Sequence, residues 1–569
     1  MMHSILLAAL AVNPVLHFDF SDPDVCVGGD GKVYMTASSF GGLPGLPVMA
    51  SDDLVNWRYV SYAIENHPFP TESPEHGNSV WAPSIRYRAD VDEYVIYWGD
   101  PDRGAYRVSA KSPEGPWGEP RLVIPAKGMI DVCPLYDDDG RIYLVNGWAN
   151  SRAGMNSVLT VRELDAEETR EISAPVMVYD GVPDGNFTAE GPKFYKKDGE
   201  YWLFFPAGGV GGGWQVAARA KSPYGPYEVK RVLEQGDTAI NGPHQGGAVR
   251  MENEKWKMEN GEEGVWWFYH FSDRDAYGRI VYLEPMKWDE GAWPVIGDNG
   301  RPMPEIRIDE SDESTNRRIE QLPFSGLAVS DDFNSPKLGL QWQFLGRSED
   351  QAAWPTPYGY FRLYSTPFKL TYKSGKSFIS SSYEKVANRN LWKIPNLMVQ
   401  KFPAADFTAT VKAQVGAKQN GEDAGLVVMG RSYARIGLKY HDKMFDIVYS
   451  ELADADKDKC PGEPEPTVLA TLPAKVIGAG IRTAQVCDIY LRLAVRQAKA
   501  KTHRDQICPP PICSFAWSTD GETWHDAPKT FEARVGKWIG ATFGFYAVSE
   551  PETKDRGWID LDWLRVKRP

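Results

Sequence analysis

Gly140-Arg141-Ile142-Tyr143-Leu144-Val145 reads as a tight turn that feeds an alternating, half-aromatic strand. The same phrase recurs through the first 300 residues. It stands at Gly31-Lys32-Val33-Tyr34-Met35-Thr36, Glu93-Tyr94-Val95-Ile96-Tyr97-Trp98, Gly199-Glu200-Tyr201-Trp202-Leu203-Phe204 and Gly264-Val265-Trp266-Trp267-Phe268-Tyr269. The leading aromatics fall at positions 34, 94, 143, 201 and 266. A strand unit recurring at about 50–65 residues predicts an all-β fold with five propeller blades. A second phrase agrees. Ala110-Lys111-Ser112-Pro113-Glu114-Gly115-Pro116-Trp117 matches Ala220-Lys221-Ser222-Pro223-Tyr224-Gly225-Pro226-Tyr227, with a looser relative at Ala50–Trp57. Ser, Pro and Gly suit the outer turns of blades.

Beyond the repeat the pattern changes. Residues 303–328 are rich in charge and Pro and read as a linker, so the propeller is assigned to 13–302. From Val329 to the last residue, 569, a second all-β pattern reads as a β-sandwich. Its expected strands include Phe407–Val411, Gly425–Met429, Ile489–Val495 and Phe543–Val548, with a hairpin turn at Ser518–Trp524 and a period-2 run at Gly557–Leu564.

Bulk properties narrow the function. With 569 residues the chain is too long for one core. Its 20 Trp and 27 Tyr suit stacking on sugar rings, and equally suit all-β cores. A net charge of -14 with no long Lys/Arg run argues against nucleic acid or an anionic membrane surface as partner. Six cysteines make no disulfide scaffold. Cys26 and Cys133 read as buried thiols, while Cys508 and Cys513 could close a small loop near His503. The apolar run Ile5–Val12 with Ala9-Leu10-Ala11 fits the remnant of a signal peptide over residues 1–12, although a basic start is missing. Secretion or a periplasmic location is expected, with a cytoplasmic location as the alternative. No apolar stretch is long enough to span a membrane.

Three segments hold the candidate chemistry: Ser21-Asp22-Pro23-Asp24, Met129-Ile130-Asp131-Val132 and Thr188-Ala189-Glu190-Gly191-Pro192. Each alone is a turn or strand edge. Each, however, lies at or just before a blade strand, and the first strand of a propeller blade lines the central channel. Carboxylates from three blades would then converge on one pocket, as glycosidic bond cleavage requires.

These motifs, in this order, resemble glycoside hydrolase family 43, the five-bladed propellers of β-xylosidase and α-L-arabinofuranosidase type. Asp22-Pro23-Asp24, Val80-Trp81-Ala82-Pro83-Ser84, Ile130-Asp131, Glu190-Gly191-Pro192, Gly242-Pro243-His244-Gln245-Gly246-Gly247 and Gly278-Arg279 are similar to the family's successive signatures. The C-terminal part resembles the concanavalin-like β-sandwich attached to many members, which packs on the propeller and can supply a loop to the pocket. Two departures stand out: Val132-Cys133 after Asp131, and Lys193 after Glu190-Gly-Pro. The resemblance implies an inverting exo-glycosidase releasing terminal α-L-arabinofuranose or β-D-xylose from hemicellulose, with arabinofuranose slightly favoured. The alternatives are a β-xylosidase or a binding protein that has lost catalysis. Asp22 would be the general base, Glu190 the general acid, and Asp131 the charge that raises and orients Glu190. Inversion calls for Asp22 and Glu190 about 6.5–9.5 Å apart. Trp81 and, more weakly, Phe40 would wall the sugar, and Arg279 would bond its hydroxyls. His244 would sit on the channel axis, either holding a structural calcium, for which it is a poor ligand, or as a satisfied core histidine. No cofactor is required by this chemistry.

Overall fold

The computed structural model describes residues 9–69, 74–251, 265–308, 321–347, 351–374, 383–478, 483–499 and 508–569. Five antiparallel four-stranded sheets follow one another in chain order. Their innermost strands are Asp24–Val27, Trp81–Arg88, Met129–Tyr136, Lys193–Lys197 and His244–Met251. The repeated phrase supplies the second strand of every blade: Val33–Thr36, Glu93–Asp100, Ile142–Trp148, Glu200–Ala207 and Val265–Asp273. Second strands are covered on both faces by neighbouring blades, which explains their unbroken aliphatic and aromatic character. The Ser-Pro-Gly phrases join third to fourth strands in blades 2 and 4, on the outside of the ring.

The ring closes through the segment before blade 1. Leu16 bridges Val281 on the third strand of blade 5. Asn13 extends that pairing with its side chain: Nδ2 donates to the Leu283 carbonyl at 2.8 Å, and Oδ1 accepts from the Leu283 amide at 3.0 Å.

Ala9–Val12, within the expected leader remnant, pairs with Glu305–Ile308, within the expected linker. Ile306 and Ile308 are buried, which is why this part of the connection is strand rather than loop. The rest of the expected leader, residues 1–8, and linker residues 309–320 lie outside the described residues, as does His503. Cys508 and Cys513 form no disulfide and so close no loop; Cys513 points into the sandwich core from the strand Pro511–Ser518. Among the described residues no helix is long and apolar enough to cross a membrane.

The second half is a sandwich of two eight-stranded sheets. Alternation is plain in Phe407–Ala417 and Ala484–Gln497, whose inward residues Val411, Leu491 and Leu493 are fully buried. The sandwich is docked on the propeller. One hydrophobic cluster runs through both, from Phe18 and Trp57 to Phe333, Trp342, Phe402 and Phe543. Leu43 and Phe344 exchange backbone bonds across the boundary. Lys401 inserts between the rings of Phe18 and Phe20, and its ammonium donates to the Asp19 carbonyl at 2.6 Å. Each large apolar side chain buried here contributes about 1.5–3 kcal/mol.

Candidate active site

The three carboxylates sit at the channel ends of blades 1, 3 and 4. Asp22 and Asp131 have positive φ, 55° and 59°. Among side chains with a Cβ, Asp and Asn tolerate this left-handed region best, so the residue type suits the backbone as well as the chemistry. At Asp131 the strand register slips between Ile130 and Cys133. The same irregularity recurs between Trp81 and Ser84 in blade 2 and between His244 and Gly246 in blade 5. A bulge re-aims a side chain that would otherwise alternate into the blade. Three blades thus use one device to turn Trp81, Asp131 and His244 towards the axis.

Asp22 is held from two sides. The Arg279 guanidinium donates to Oδ1 at 2.8 Å, and the Ser38 hydroxyl donates to Oδ2 at 2.6 Å. Ser38 in turn accepts from the Ala82 amide at 2.7 Å, which ties blade 1 to the residue after Trp81. Asp131 accepts the Gly191 amide on Oδ2 at 2.7 Å. Gly191 has φ +58°, and a Cβ there would crowd the Gln245 side chain at 2.6 Å, so glycine suits the turn that aims this amide. Glu190 lies one residue earlier, with its side chain 34% exposed to the pocket, and its Oε1 is 3.6 Å from His244 Nε2.

Electrostatics make the two neighbours unequal. Desolvation, then the charges of Asp131 and Asp22, push the Glu190 carboxyl well above the usual range, against the pull of Arg279. Burial and Asp22 also raise Asp131, but the Gly191 amide, Lys193 and Arg279 oppose this. A carboxyl that accepts an amide N–H and faces two cations keeps its charge more readily than one that does not, so the proton rests on Glu190. Lys193, the departure noted above, is fully buried and donates to the Pro83 carbonyl at 3.0 Å and to Ser84 Oγ at 2.9 Å. Below it, fully buried Asp24 pairs with Arg86 at 2.6 Å.

His244 is 1% exposed, and burial beside Arg279 lowers its pKa to about 3, so the ring is neutral. Neither ring nitrogen has a hydrogen-bond partner among the described residues. Among those residues no group of three His, Cys, Asp or Glu could hold a metal. One imidazole beside a guanidinium does not fit direct calcium ligation, which needs several oxygens.

Trp81 stands at the pocket wall, its indole N–H donating to the Gly77 carbonyl at 3.1 Å. Phe40 is 4% exposed and meets Trp81 edge-on at 6.5 Å, so it backs the wall rather than forming it. All seven expected residues thus belong to one constellation.

The structure adds residues that the sequence reading did not single out. Trp538, in the sandwich loop between His525–Glu532 and Thr542–Ser549, packs edge-on against Trp81 at 6.1 Å and is 45% exposed. Arg152 extends over the other part of the Trp81 ring at 5.9 Å, braced by Asp102. Asp19 couples the propeller to this sandwich loop: Oδ1 accepts the Arg279 amide at 2.8 Å and Oδ2 accepts the Gly540 amide at 3.1 Å. Gly540 passes so near the propeller that a Cβ would lie 2.7 Å from the Gly278 nitrogen, so only glycine allows the loop to seat.

Three carboxylates that converge on a propeller axis, one pushed upward and open to the pocket, one beside it and one held by arginine, define a glycoside hydrolase of propeller type. Comparison with known proteins makes this particular. The family model for Glycosyl hydrolases family 43 matches residues 11–294, and that for the Beta xylosidase C-terminal Concanavalin A-like domain matches 330–567. A putative beta-xylosidase of Xylanibacter ruminicola is 34% identical over 424 residues, covering 74% of this chain and 71% of the relative. A non-reducing end alpha-L-arabinofuranosidase of Bacteroides ovatus is 30% identical, covering 77% and 80%. In fold, a xylan beta-1,4-xylosidase from Bacillus halodurans aligns with TM-score 0.74 and 22% identity over 98% of this chain and all of that one. A bifunctional protein of Bacteroides eggerthii aligns with TM-score 0.75 and 24% identity over 99% of this chain, which spans 64% of that longer chain. The chain belongs to glycosyl hydrolase family 43.

Proposed function

We propose that this enzyme removes single pentosyl residues from the non-reducing ends of hemicellulose oligosaccharides with inversion of configuration. The observation that carries this reading is the unequal carboxylate pair: Glu190 raised and exposed to the pocket, Asp131 beside it also raised but favoured in its charged form by the Gly191 amide, Lys193 and Arg279. Glu190 protonates the leaving oxygen. Asp22, its two oxygens accepting from Arg279 and Ser38, takes the proton of a water that attacks the opposite face of the sugar. Asp131 keeps Glu190 protonated and oriented. Arg279 and the Trp81 wall read the sugar, and Trp538 narrows the mouth, which suits a terminal unit rather than a chain interior. The names of the β-xylosidase relatives, the putative one of Xylanibacter ruminicola among them, and the beta-xylosidase C-terminal domain support β-D-xylose as the main sugar. The Bacteroides ovatus relative supports a second activity on α-L-arabinofuranose, which the sequence reading had placed first. Hydrolysis of nitrophenyl xyloside and nitrophenyl arabinofuranoside, followed by NMR of the released anomer, tests all three parts. Failure on both substrates by folded protein, or release of the retained anomer, would overturn the reading.

A further inference from the structure

The outer face of the sandwich carries a groove of about 480 Å³, far from the channel in sequence. It lies over three adjacent strands, Trp558–Lys567, Phe407–Ala417 and Ala484–Gln497. Outward residues alternate with the buried Leu491 and Leu493, so the side chains on this face serve no core. Register sets them in rows. Thr410 lies between Arg492 and Arg565, and Lys412 between Tyr490 and Trp563. Strands about 4.8 Å apart put the two arginines of the first row on either side of one hydroxyl.

The aromatic groups are held in place. Trp524, from the Ser518–Trp524 turn, donates its indole N–H to the Gly521 carbonyl at 3.2 Å. The Arg492 guanidinium lies 3.5 Å from its ring centre and Arg492 Nε donates to Thr410 Oγ1 at 3.3 Å. Tyr490 and Trp563 meet at 6.1 Å with planes tilted by 56°. A guanidinium stacked on indole cannot turn its face, so its in-plane N–H groups remain aimed along the groove. Among the described residues no carboxylate forms an ion pair with Arg492, and burial without such a pair lowers its pKa, Asp526 opposing from the neighbouring strand. Asp520, also in the lining, is held firmly ionised by the Thr523 and Glu522 amides and the Ser518 hydroxyl, and makes no ion pair with Arg492 among the described residues. Arg565 is partly satisfied by Asp332. The lining sets three cations, Arg492, Arg565 and Lys567, against two carboxylates, Asp520 and Glu522, a small positive excess on a protein of net charge -14. Planar forks pre-set beside ring faces match a sugar that carries a carboxylate.

We propose that this groove binds oligosaccharide chains bearing a uronic acid, with the Arg492–Thr410–Arg565 row holding the carboxylate and Tyr490, Trp563 and Trp524 packing on the sugar rings. Such a site would keep an acidic, branched hemicellulose near an enzyme whose own pocket takes only chain ends.

The test uses the full chain carrying Glu190→Gln, so that ligands survive. Calorimetric titration compares a xylo-oligosaccharide with one glucuronosyl branch against its unbranched counterpart. The expected result is tighter binding of the acidic sugar, weakened at least tenfold by Arg492→Gln and by added salt, with the neutral sugar unaffected. Arg492→Lys, which keeps charge but loses the fork, should also lose severalfold. Nitrophenyl pentoside hydrolysis by the same Arg492 variants with Glu190 restored should be unchanged, which separates this site from the pocket. Equal binding of both sugars, or acidic binding indifferent to both Arg492 variants, would overturn the proposal. So would an Arg492-dependent change in sedimentation without any change in sugar binding, because the face would then seat a second copy.

Discussion

The floor and the rim of the pocket are built by opposite means. The floor comes from the propeller: Asp131 is fixed by the Gly191 amide at a strand irregularity, and Asp22 by Arg279 and Ser38, with Glu190 beside them. The rim is shared, and its outermost aromatic, Trp538, comes from a sandwich loop more than 200 residues beyond the last blade. The floor needs precise charge, which only rigid strand ends provide. The rim needs shape and closure, which a loop seated by Gly540 on Asp19 can supply. On the proposed reading, the chemistry belongs to one half and the closure of the mouth to the junction.

The largest expected effect tests the floor. Glu190→Gln should lower kcat by about 10²–10⁴ on natural oligosaccharides. It should cost much less on nitrophenyl glycosides, whose leaving group needs no proton. Equal losses on both substrates would remove Glu190 from the acid role.

Next comes the partition itself. A chain ending near residue 328 would expose Phe18, Trp57 and their neighbours, now buried against the sandwich. Insoluble or unfolded protein is expected in expression and thermal-unfolding assays. A soluble, fully active propeller would make the sandwich an independent module and dissolve the comparison.

A third test separates charge from shape. Activity should fall as pH rises through the elevated Glu190 pKa, because the acid must hold its proton. Asp131→Asn removes the negative charge that raises Glu190, so the alkaline limb of the pH–rate profile should move to lower pH. An unmoved limb would mean that Asp131 only orients.

The smallest effect concerns the rim. Trp538→Ala should reduce kcat/KM by about 3- to 10-fold, in line with about 0.5–1.5 kcal/mol for an aromatic contact. The pH profile should stay in place. A shift in the limb would show that the loop acts on the floor's charges and not only on closure.

The blades were legible because every second strand is sandwiched between neighbours and must be apolar throughout, which leaves a repeated phrase. The candidate carboxylates were legible because each adjoins a first strand, and first strands meet at the axis. Ser38 and Asp19 left no such mark. Each is one polar residue among many, and its value lies in what it bonds across the fold. Phe40 was expected at the wall, yet lies behind it, because burial depends on the neighbour that covers it.

By itself the sequence determined the fold class, the family and the set of acidic residues, since periodic burial and left-handed turn positions are written locally. Tertiary structure alone decided which carboxyl keeps the proton, since that depends on Lys193, Arg279 and the Gly191 amide converging from different blades. It alone decided that a sandwich tryptophan completes the mouth, because no local pattern encodes a contact between Trp81 and Trp538.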